Sequence, residues 1–465
     1  MRLRSYIGGH TVEPMGETIA SLNPSNPSDI VALFGAGSPE QATAAAEAAH
    51  AALKSWRGLS GSARGEYLHK WANAIADRSE EMAQLAAREV GKPISEARGE
   101  AGRCVTILRY YAGECVRESG QVIPALAANA LQFTVRPPVG VCTLITPWNF
   151  PMAIPIWKAA PALAFGNTVI LKPAEAGSAV ADLLVETSVA AGLPNGVFNV
   201  VYGAGSVLGP TLLDHSDALS FTGSKKVGLF LAAEAAHRNL KYQCEMGGKN
   251  VGIVLADADL EQAASLIVAG AFRYAGQKCT ATSRVVVDRT VASALYEKIR
   301  QHMDQLVLDP VTDAKCTVGP VISAESRSKV MGLLGAHAPA PHDHEGFFLT
   351  PTFIPGIAAN DPLAQEELFA PVLISTEVDG LDEAIEVANS TEYGLSASLF
   401  TKNIGSALSY IDRIAVGMVR VNGDTTGVDP HAPFGGMRNS SSHSREQGPA
   451  ARDFYTDTKT VQIHP

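Results

Sequence analysis

The chain has 465 residues, of which 46% are hydrophobic and 18% charged, a balance typical of a folded protein of two or three domains. The net charge of −10 and the lack of any Lys/Arg-rich run argue against a nucleic-acid partner, and no apolar run approaches the length of a membrane span. Residues 1–14 have no apolar signal core, and the six scattered cysteines form no C-x-x-C pair, so we expect a reducing, cytoplasmic location.

The N-terminal quarter changes from strands to helices. Residues 1–37 are predicted to form strands and turns around an Asn/Pro-rich break at 23–27. Ser38 and Pro39 then have the pattern of an N-cap followed by proline at the first helical position. Residues 40–118 are rich in alanine at helical spacing and predict three or four helices. Their predicted core positions are Trp56, Leu68, Trp71, Ile75 and Leu85.

From residue 139 onward, short apolar runs alternate with helical stretches. Such alternation predicts right-handed βαβ units and a parallel sheet, which binds ligands at the carboxyl ends of its strands. The first set of predicted strands is 141–145, 168–171, 197–201 and 218–221, with helices near 156–165, 178–191 and 205–213. A second α/β region is predicted from strands 251–255 and 285–287 and helices 259–275 and 290–306, and a last strand is predicted at 459–463.

Cys279 is the first candidate for chemistry, because small and polar residues surround it rather than aliphatic ones. We expect three nearby cations, Arg273, Lys278 and Arg284, to favour the reactive thiolate form. The alternative is that Cys279 behaves as a small buried hydrophobic residue, as most free cysteines do.

Two predicted strands end in polar residues that could contact a ligand. Asn149 lies between two prolines in segment 146–151, where its amide could stabilise an oxyanion; the alternative is an ordinary turn asparagine. Lys172 and Glu175 follow the next strand and could hold the hydroxyls of a ribose. Their alternative is a solvated surface ion pair.

Glycine-rich turns and one glutamate complete the candidates. Gly223 and Ser224, in segment 221–228, could approach a phosphate at a helix start. Gly203 and Gly205 also follow a strand, although their spacing is not G-x-G-x-x-G. Glu245 has apolar neighbours that should raise its pKa and suit a general base.

The role of Glu245 has alternatives, and one further segment has metal-ligand residue types. Glu245 could instead pair with Lys249, or the two could form a proton relay. The segment 342–344, His-Asp-His, lacks the further ligands that a metal site needs, so no metal is predicted.

Taken in order, these motifs resemble those of the aldehyde dehydrogenase superfamily along nearly the whole chain. The resemblance implies an α/β fold with a Rossmann-type cofactor domain, an α/β catalytic domain and a small β oligomerisation arm. The segments that carry it are 147–151, 172–175, 221–224, 245–249, 276–279, 366–371 and 433–436. The implied domains are 1–115 with 139–247 for the cofactor, 248–440 for catalysis, and 116–138 with 441–465 for a homodimer or homotetramer.

The resemblance also assigns roles. Cys279 would add to the aldehyde, Asn149 with the Cys279 backbone N–H would form the oxyanion hole, and Glu245 would activate the hydrolytic water. Lys172 is included with the catalytic residues and would also contact the adenosine ribose with Glu175. The implied cofactor is NAD, with NADP possible. The other implied cofactor residues are Thr146, Pro147, Trp148, Gly203, Gly205, Phe221, Gly223, Ser224, Gly247, Glu367 and Phe369.

Some segments depart from the superfamily pattern or narrow it. Segment 437–448 lacks the common Ser-Gly-x-Gly pattern, and it is similar, with 277–284 and 427–431, to 2,5-dioxopentanoate (α-ketoglutarate semialdehyde) dehydrogenases. Arg273 lies where semialdehyde enzymes place an arginine for the substrate carboxylate. A second arginine of some semialdehyde enzymes is Trp157 here, which leaves an apolar or aromatic aldehyde as the alternative substrate.

Two rival functions would require a different set of residues. A catalytically silent relative would be expected to lack the cysteine or the glutamate, and both are present. A CoA-acylating oxidoreductase has no need of a hydrolytic base, so Glu245 argues against it.

Overall fold

The computed structural model describes residues 1–117, 119–340 and 345–465. Its helices are α1 (Pro39–Arg57), α2 (Gly61–Asp77), α3 (Ser79–Val90), α4 (Ile94–Glu114), α5 (Ala153–Ala164), α6 (Ser178–Ala190), α7 (Gly205–Asp214), α8 (Lys225–His237), α9 (Leu260–Phe272), α10 (Ala292–Met303), α11 (Ala324–Leu334), α12 (Pro362–Gln365), α13 (Gly380–Asn389), α14 (Ile404–Arg413) and α15 (Gly448–Tyr455). Two 3₁₀ turns span Arg273–Gly276 and Gly335–His337.

The strands are β1 (Ser5–Ile7), β2 (His10–Val12), β3 (Thr18–Asn23), β4 (Asn26–Gly35), β5 (Val122–Ile123), β6 (Leu131–Val135), β7 (Val141–Ile145), β8 (Thr168–Lys172), β9 (Phe198–Val200), β10 (Ala218–Thr222), β11 (Lys241–Glu245), β12 (Asn250–Val254), β13 (Thr282–Asp288), β14 (Thr352–Ile354), β15 (Val372–Val378), β16 (Tyr393–Gly394), β17 (Ser396–Phe400), β18 (Met418–Val421), β19 (Met437–Arg438) and β20 (Lys459–Ile463).

The first large sheet has the strand order β11-β10-β7-β8-β9-β1-β2, and its first five strands are parallel. The predicted parallel sheet is therefore confirmed. The chain leaves β7 toward β8 on one side and later returns to β10 on the other. This places a topological switch point at the carboxyl end of β7, where open α/β sheets form their ligand crevices.

The helices α1 to α4 pack as predicted from their alanine-rich periodicity. The Ser38 hydroxyl caps α1 by accepting a hydrogen bond from the Gln41 N–H at 3.3 Å. Trp56, Leu68, Trp71 and Ile75 are buried core residues, as predicted. Leu85 is only half-buried and packs against the edge of that core.

The second large sheet has the order β14-β15-β13-β12-β17-β18, and all its pairings are parallel. The predicted helix 259–275 ends earlier, at Phe272. Tyr274 and Ala275 adopt left-handed backbone conformations, with φ of 55° and 52°, which a continuing α-helix cannot accommodate. This break separates Cys279 from the helix and places it in a turn.

The remaining strands include a small antiparallel sheet. The last strand, β20, pairs with β6, which also pairs with β5. Apolar side chains such as Leu131 and Ile463 are about half exposed there. The domain boundaries and the assembly of subunits through this arm stay predictions. Among the described residues, no helix is long and apolar enough to cross a membrane.

Candidate active site

Three neighbouring parallel strands carry candidate residues to one sheet edge. The β7 strand ends at Ile145, just before the Asn149 segment, and β10 ends at Thr222, just before Gly223. The third strand, β11, ends at Glu245, which lies opposite Thr222 in the register. Because parallel strands present their carboxyl ends together, residues distant in sequence meet here.

The turn that carries Cys279 is fixed by close backbone contacts. After the left-handed Tyr274 and Ala275, Gly276 also has a positive φ of 66°. A Cβ atom at Gly276 would lie 2.4 Å from the Ala370 carbonyl oxygen, so only glycine fits. The Gln277 side chain then donates to the Pro320 carbonyl at 3.0 Å and accepts from the Ile322 N–H at 2.9 Å. These contacts hold the turn against a separate segment of the chain.

Asn149 joins the β7 segment to this turn. Its Nδ2 donates to the Gln277 carbonyl oxygen at 2.9 Å, and the residue is buried. This bond uses one of the two amide hydrogens and leaves the other for a ligand. Asn149 and Cys279 both line one cavity, so the predicted pairing of amide and thiol is geometrically possible.

The predicted stabilisation of a Cys279 thiolate by nearby cations is wrong. Lys278 pairs with Glu96 at 2.8 Å, and the buried Arg284 donates to backbone carbonyls, including that of Ala388 at 2.9 Å. Arg273 is exposed. Burial, followed by the nearby carboxyl groups of Glu367, Glu245 and Glu446, raises the pKa of the Cys279 thiol to about 12. These surroundings therefore favour the protonated thiol over the thiolate.

Glu245 is buried, and its pKa is raised well above the usual range by burial and then by Glu446. Its Oε2 accepts a hydrogen bond from the Ser441 hydroxyl at 2.5 Å. The alternative pairing of Glu245 with Lys249 is not observed among the described residues. Instead, Lys249 is buried near Arg284, and burial lowers its pKa to about 7. Glu245 thus has the environment expected of a general base.

A buried ion pair behind the site was not predicted. Lys158 pairs with Glu446, and the same carboxylate accepts from Trp157 Nε1 at 2.5 Å. Lys158 Nζ also donates to the Ser220 hydroxyl at 2.8 Å. The sequence contains one signal for such a pair. Lys158 is the one charged residue of α5, an otherwise apolar helix, and a buried cation needs an acidic partner.

One cavity next to the thiol is lined by arginines and aromatic rings, and we call it the arginine-lined cavity. Its volume is about 510 Å³, and its walls include Arg103, Phe150, Trp157, Arg273, Cys279 and Phe434. The Trp157 and Phe434 rings pack with their centroids 5.0 Å apart. Arg103 donates one hydrogen bond to the Val428 carbonyl. Arg103 is not among the site residues predicted from the sequence.

A second cavity, the glycine-lined cavity, has a volume of about 270 Å³ and also contains Cys279. A Cβ atom at Gly247 would lie 1.9 Å from Glu367 Oε2, so glycine is needed for that carboxyl to enter. The Trp148 and Phe369 rings pack edge to face at 5.6 Å. Among the predicted cofactor residues, those lining this cavity are Pro147, Trp148, Gly223, Ser224, Gly247, Glu367 and Phe369.

Polar groups in the glycine-lined cavity fit a dinucleotide. The Thr222 hydroxyl lines it and is buried without a hydrogen-bond partner among the described residues. Glu367 accepts from the Gly248 N–H at 3.0 Å, and burial raises its pKa to about 7. Ser224 is the N-cap of α8, whose first backbone N–H groups suit an anion such as a phosphate.

Six predicted residues lie outside the lining of that cavity. Lys172 is buried, its Nζ donates to the Pro173 carbonyl at 2.9 Å, and burial lowers its pKa to about 8. A Cβ at Gly205 would come within 3.8 Å of Lys172 Cε, whereas one at Gly203 would clash with the Ala36 carbonyl at 2.2 Å. Glu175 is exposed. The other two are Thr146, whose hydroxyl is buried, and Phe221, whose ring packs beside Gly223.

No cluster of three or more potential metal ligands occurs among the described residues. The predicted absence of a metal site at His342, Asp343 and His344 concerns residues outside those that the structure describes.

Residues 11–461 match the aldehyde dehydrogenase family. The chain is 43% identical to an alpha-ketoglutaric semialdehyde dehydrogenase of Bacillus subtilis, covering 99% of this chain and 98% of the relative. It is 38% identical to an alpha-ketoglutarate semialdehyde dehydrogenase of Haloferax volcanii, with 98% of each covered.

A solved structure gives the same result for the fold. The crystal structure of an NAD-dependent aldehyde dehydrogenase from Sinorhizobium meliloti superposes with a TM-score of 0.96 at 34% identity, covering 100% of this chain and 95% of the other. The fold, the thiol between two cavities and these full-length matches agree, and the chain belongs to the aldehyde dehydrogenase family.

Proposed function

We propose that this member of the family oxidises an acidic semialdehyde, such as 2,5-dioxopentanoate, to the carboxylic acid, with NAD as the favoured acceptor. The observation that carries the proposal is the position of Cys279, whose side chain lines both the arginine-lined and the glycine-lined cavity. A thiol there can meet an aldehyde from one side and a nicotinamide from the other. The names of the relatives from B. subtilis and H. volcanii support this substrate class.

The proposed chemistry divides one difficult oxidation into simpler steps. The Cys279 sulfur adds to the aldehyde carbonyl carbon and its proton passes to solvent, while the Asn149 amide and the Cys279 backbone N–H stabilise the oxyanion. NAD, held by the residues of the glycine-lined cavity, would supply the hydride acceptor that allows the Cys279 adduct to become a thioester. Glu245 takes a proton from a water molecule as its oxygen attacks the thioester carbonyl, and the C–S bond then breaks to release the acid. The proton returns from Glu245 to the Cys279 sulfur, which restores the thiol and the carboxylate.

The cofactor would lie along the carboxyl edge of the first sheet. We assign Gly223 and Ser224 to the pyrophosphate and Glu367 with Phe369 to the nicotinamide ribose and ring. Lys172 and Glu175 would hold the adenosine ribose. The exposed Glu175 carboxylate can accept both ribose hydroxyls and would repel a 2′-phosphate, which favours NAD over NADP.

Two guanidinium groups support an acidic substrate. Arg273 lines the cavity near Glu96, whose carboxylate pairs with Lys278, and its guanidinium donates no hydrogen bond to any residue in 1–117, 119–340 or 345–465. Arg103 donates one guanidinium N–H to the Val428 carbonyl oxygen, and its other N–H groups can bind a substrate carboxylate. The second candidate, an apolar or aromatic aldehyde, is favoured by the Trp157 and Phe434 rings in the same wall.

A panel of aldehydes separates the two candidates. Matched chains with and without a distal carboxylate are assayed for kcat/KM, each with NAD and with NADP. We expect the carboxylated aldehydes to be preferred by at least about tenfold and NAD to be preferred over NADP. Equal or reversed preference for the uncharged aldehydes would reject the acidic substrate while leaving the thiol chemistry intact.

The oligomeric assembly is a further part of the proposal. The edge of the small sheet formed by β20, β6 and β5, with its exposed apolar side chains, suits pairing with a second copy of the chain.

A further inference from the structure

The segment 440–442 contains three consecutive serines whose hydroxyls bond different partners. The Ser440 hydroxyl accepts from the Gly394 N–H at 2.9 Å, and the Ser442 hydroxyl accepts from the Cys244 N–H at 2.9 Å. Ser441 differs from both, because its hydroxyl accepts from the Gly436 N–H at 2.6 Å and also donates to Glu245 Oε2. Only the middle serine therefore contacts the predicted base.

The backbone of this segment also follows the strand that ends at Glu245. Glu245 and Ser441 form an antiparallel bridge, and the Met246 N–H donates to the Ser440 carbonyl at 2.7 Å. The Gly436 N–H orients the Ser441 hydroxyl, since a hydroxyl that accepts from one side must direct its own hydrogen elsewhere. The direction of the Ser441 O–H bond is thus set by the backbone.

The other side of the Glu245 carboxyl meets a close backbone contact. A Cβ atom at Gly435, which has a φ of 148°, would lie 3.0 Å from Glu245 Oε1. That oxygen is buried and has no hydrogen-bond partner among the described residues. Ser441 therefore supplies the one hydrogen bond that this carboxyl receives from the described part of the chain.

We propose that Ser441 is a positioning residue that holds the Glu245 carboxyl in place and stabilises its ionised form through the hydrogen bond from its hydroxyl. The inference rests on the proposed function, in which Glu245 activates the water that hydrolyses the thioester. A donor to a carboxylate favours the charged form, so it makes the base available at lower pH.

The charged groups around Glu245 make this hydrogen bond important. Glu446 faces it and opposes its ionisation, whereas Lys158 on α5 and Arg445 on the 441–446 segment favour ionisation. The Cys279 thiol also interacts with it electrostatically. Burial disfavours the ionised form of Glu245. The hydrogen bond from the Ser441 hydroxyl stabilises that form and so offsets part of the cost of burial.

The experiment measures thioester hydrolysis itself, so that another rate-limiting step cannot hide the effect. Enzyme, NAD and a saturating aldehyde are mixed, acid-quenched over time, and the covalent adduct on Cys279 is followed by intact mass between pH 6 and pH 10. We expect the acidic limb of the hydrolysis rate to move upward by about one pH unit in Ser441→Ala, because a lost charge-assisted hydrogen bond raises the pKa of the base. Ser441→Thr, which keeps the hydroxyl, should restore the wild-type midpoint.

The matched control is Ser440→Ala. It also removes a buried serine hydroxyl that accepts a hydrogen bond from a backbone N–H, but the Ser440 side chain does not contact Glu245. Its midpoint should equal that of the wild type. An unchanged midpoint in Ser441→Ala, or an equal shift in Ser440→Ala, would overturn the proposal. If Ser441→Ala does not fold, Ser441→Cys takes its place, since a thiol is a weaker donor and should shift the limb in the same direction.

Glu245→Gln separates this inference from the proposed function. If Glu245→Gln removes the acidic limb but Ser441→Ala leaves it in place, only the role of Ser441 is wrong. If the limb is unchanged in Glu245→Gln, Glu245 is not the base, and the role of Ser441 is overturned with it.

Discussion

The two cavities that meet at Cys279 are built by different means. The arginine-lined cavity takes long side chains from separate elements, among them Arg103 of α4 and Arg273 of the turn after α9. The glycine-lined cavity instead depends on two positions without a Cβ, because a Cβ at Gly223 would clash with the Phe221 ring and one at Gly247 with the Glu367 carboxyl. Side chains can be exchanged without moving the backbone, whereas an added Cβ at either glycine would displace a wall of the second cavity. We therefore expect substrate choice to be easy to change and cofactor binding to be hard to change.

The largest expected effect is at the residue shared by both cavities. Cys279→Ala should lower the oxidation rate by several orders of magnitude, because no other nucleophile takes its place. NAD binding, measured by titration calorimetry, should be unchanged. Cys115→Ala is the control, since Cys115 is also half-buried but bonds the Tyr111 carbonyl at the end of α4. Normal turnover in Cys279→Ala would reject the assignment of the nucleophile.

Arg273→Gln tests the arginine-lined cavity. It should lower kcat/KM for a carboxylated aldehyde by about tenfold to a hundredfold, the amount expected for a lost hydrogen bond between charged groups. The value for an uncharged aldehyde of the same length should not change. Arg109→Gln, at an exposed position of α4 beside Asn73, is the control. An equal loss for both aldehydes would mean that Arg273 supports the fold rather than selecting the substrate.

Gly247→Ala tests the glycine-lined cavity. The new methyl group would compete with the Glu367 carboxyl for the same space, so the KM for NAD should rise by about tenfold for every aldehyde alike. The control is Gly113→Ala in α4, where a Cβ meets no atom within 4 Å. If Gly247→Ala changed the choice of aldehyde instead, the two cavities would not be separate in function.

The smallest effect concerns pH. The pKa of Glu367 is about 7, so its carboxyl is protonated below pH 7 and ionised above it. Because the ionised form is the better acceptor for ribose hydroxyls, the KM for NAD should fall a few-fold between pH 6 and pH 8. In Glu367→Gln this change should disappear. A wild-type KM that does not change over this interval would argue against a contact between Glu367 and the ribose.

Much of the fold could be predicted because it depends on local patterns. The alternation of apolar runs and helices predicted β7 (Val141–Ile145), β8 (Thr168–Lys172) and β10 (Ala218–Thr222) of the first sheet nearly to the residue, and the antiparallel strand β20 was also predicted at its observed bounds. It did not single out β11 or the strands β14, β15, β17 and β18 of the second sheet. The end of α9 could not be predicted, because neither Tyr274 nor Ala275 is a residue type that favours a left-handed backbone. Only the contacts of the folded chain impose that conformation.

The site was predicted less completely, because its electrostatics depend on which partner each side chain meets. Lys278 and Arg284 are close to Cys279 in sequence, yet each is bound to other groups. Conversely, Lys158 and Glu446 are separated by 288 residues along the chain and form a buried pair. The contact between Ser441 and Glu245 is of the same kind, since it spans 196 residues.

The neutral state of the Cys279 thiol has a consequence for the durability of the protein. Burial, followed by the nearby carboxyl groups, raises the pKa of this thiol to about 12, which disfavours the thiolate at neutral pH. Peroxides and alkylating reagents attack the thiolate rather than the thiol, so the free enzyme should resist inactivation by them. The burial and the carboxyl groups that hinder ionisation would thereby protect the nucleophile between turnovers.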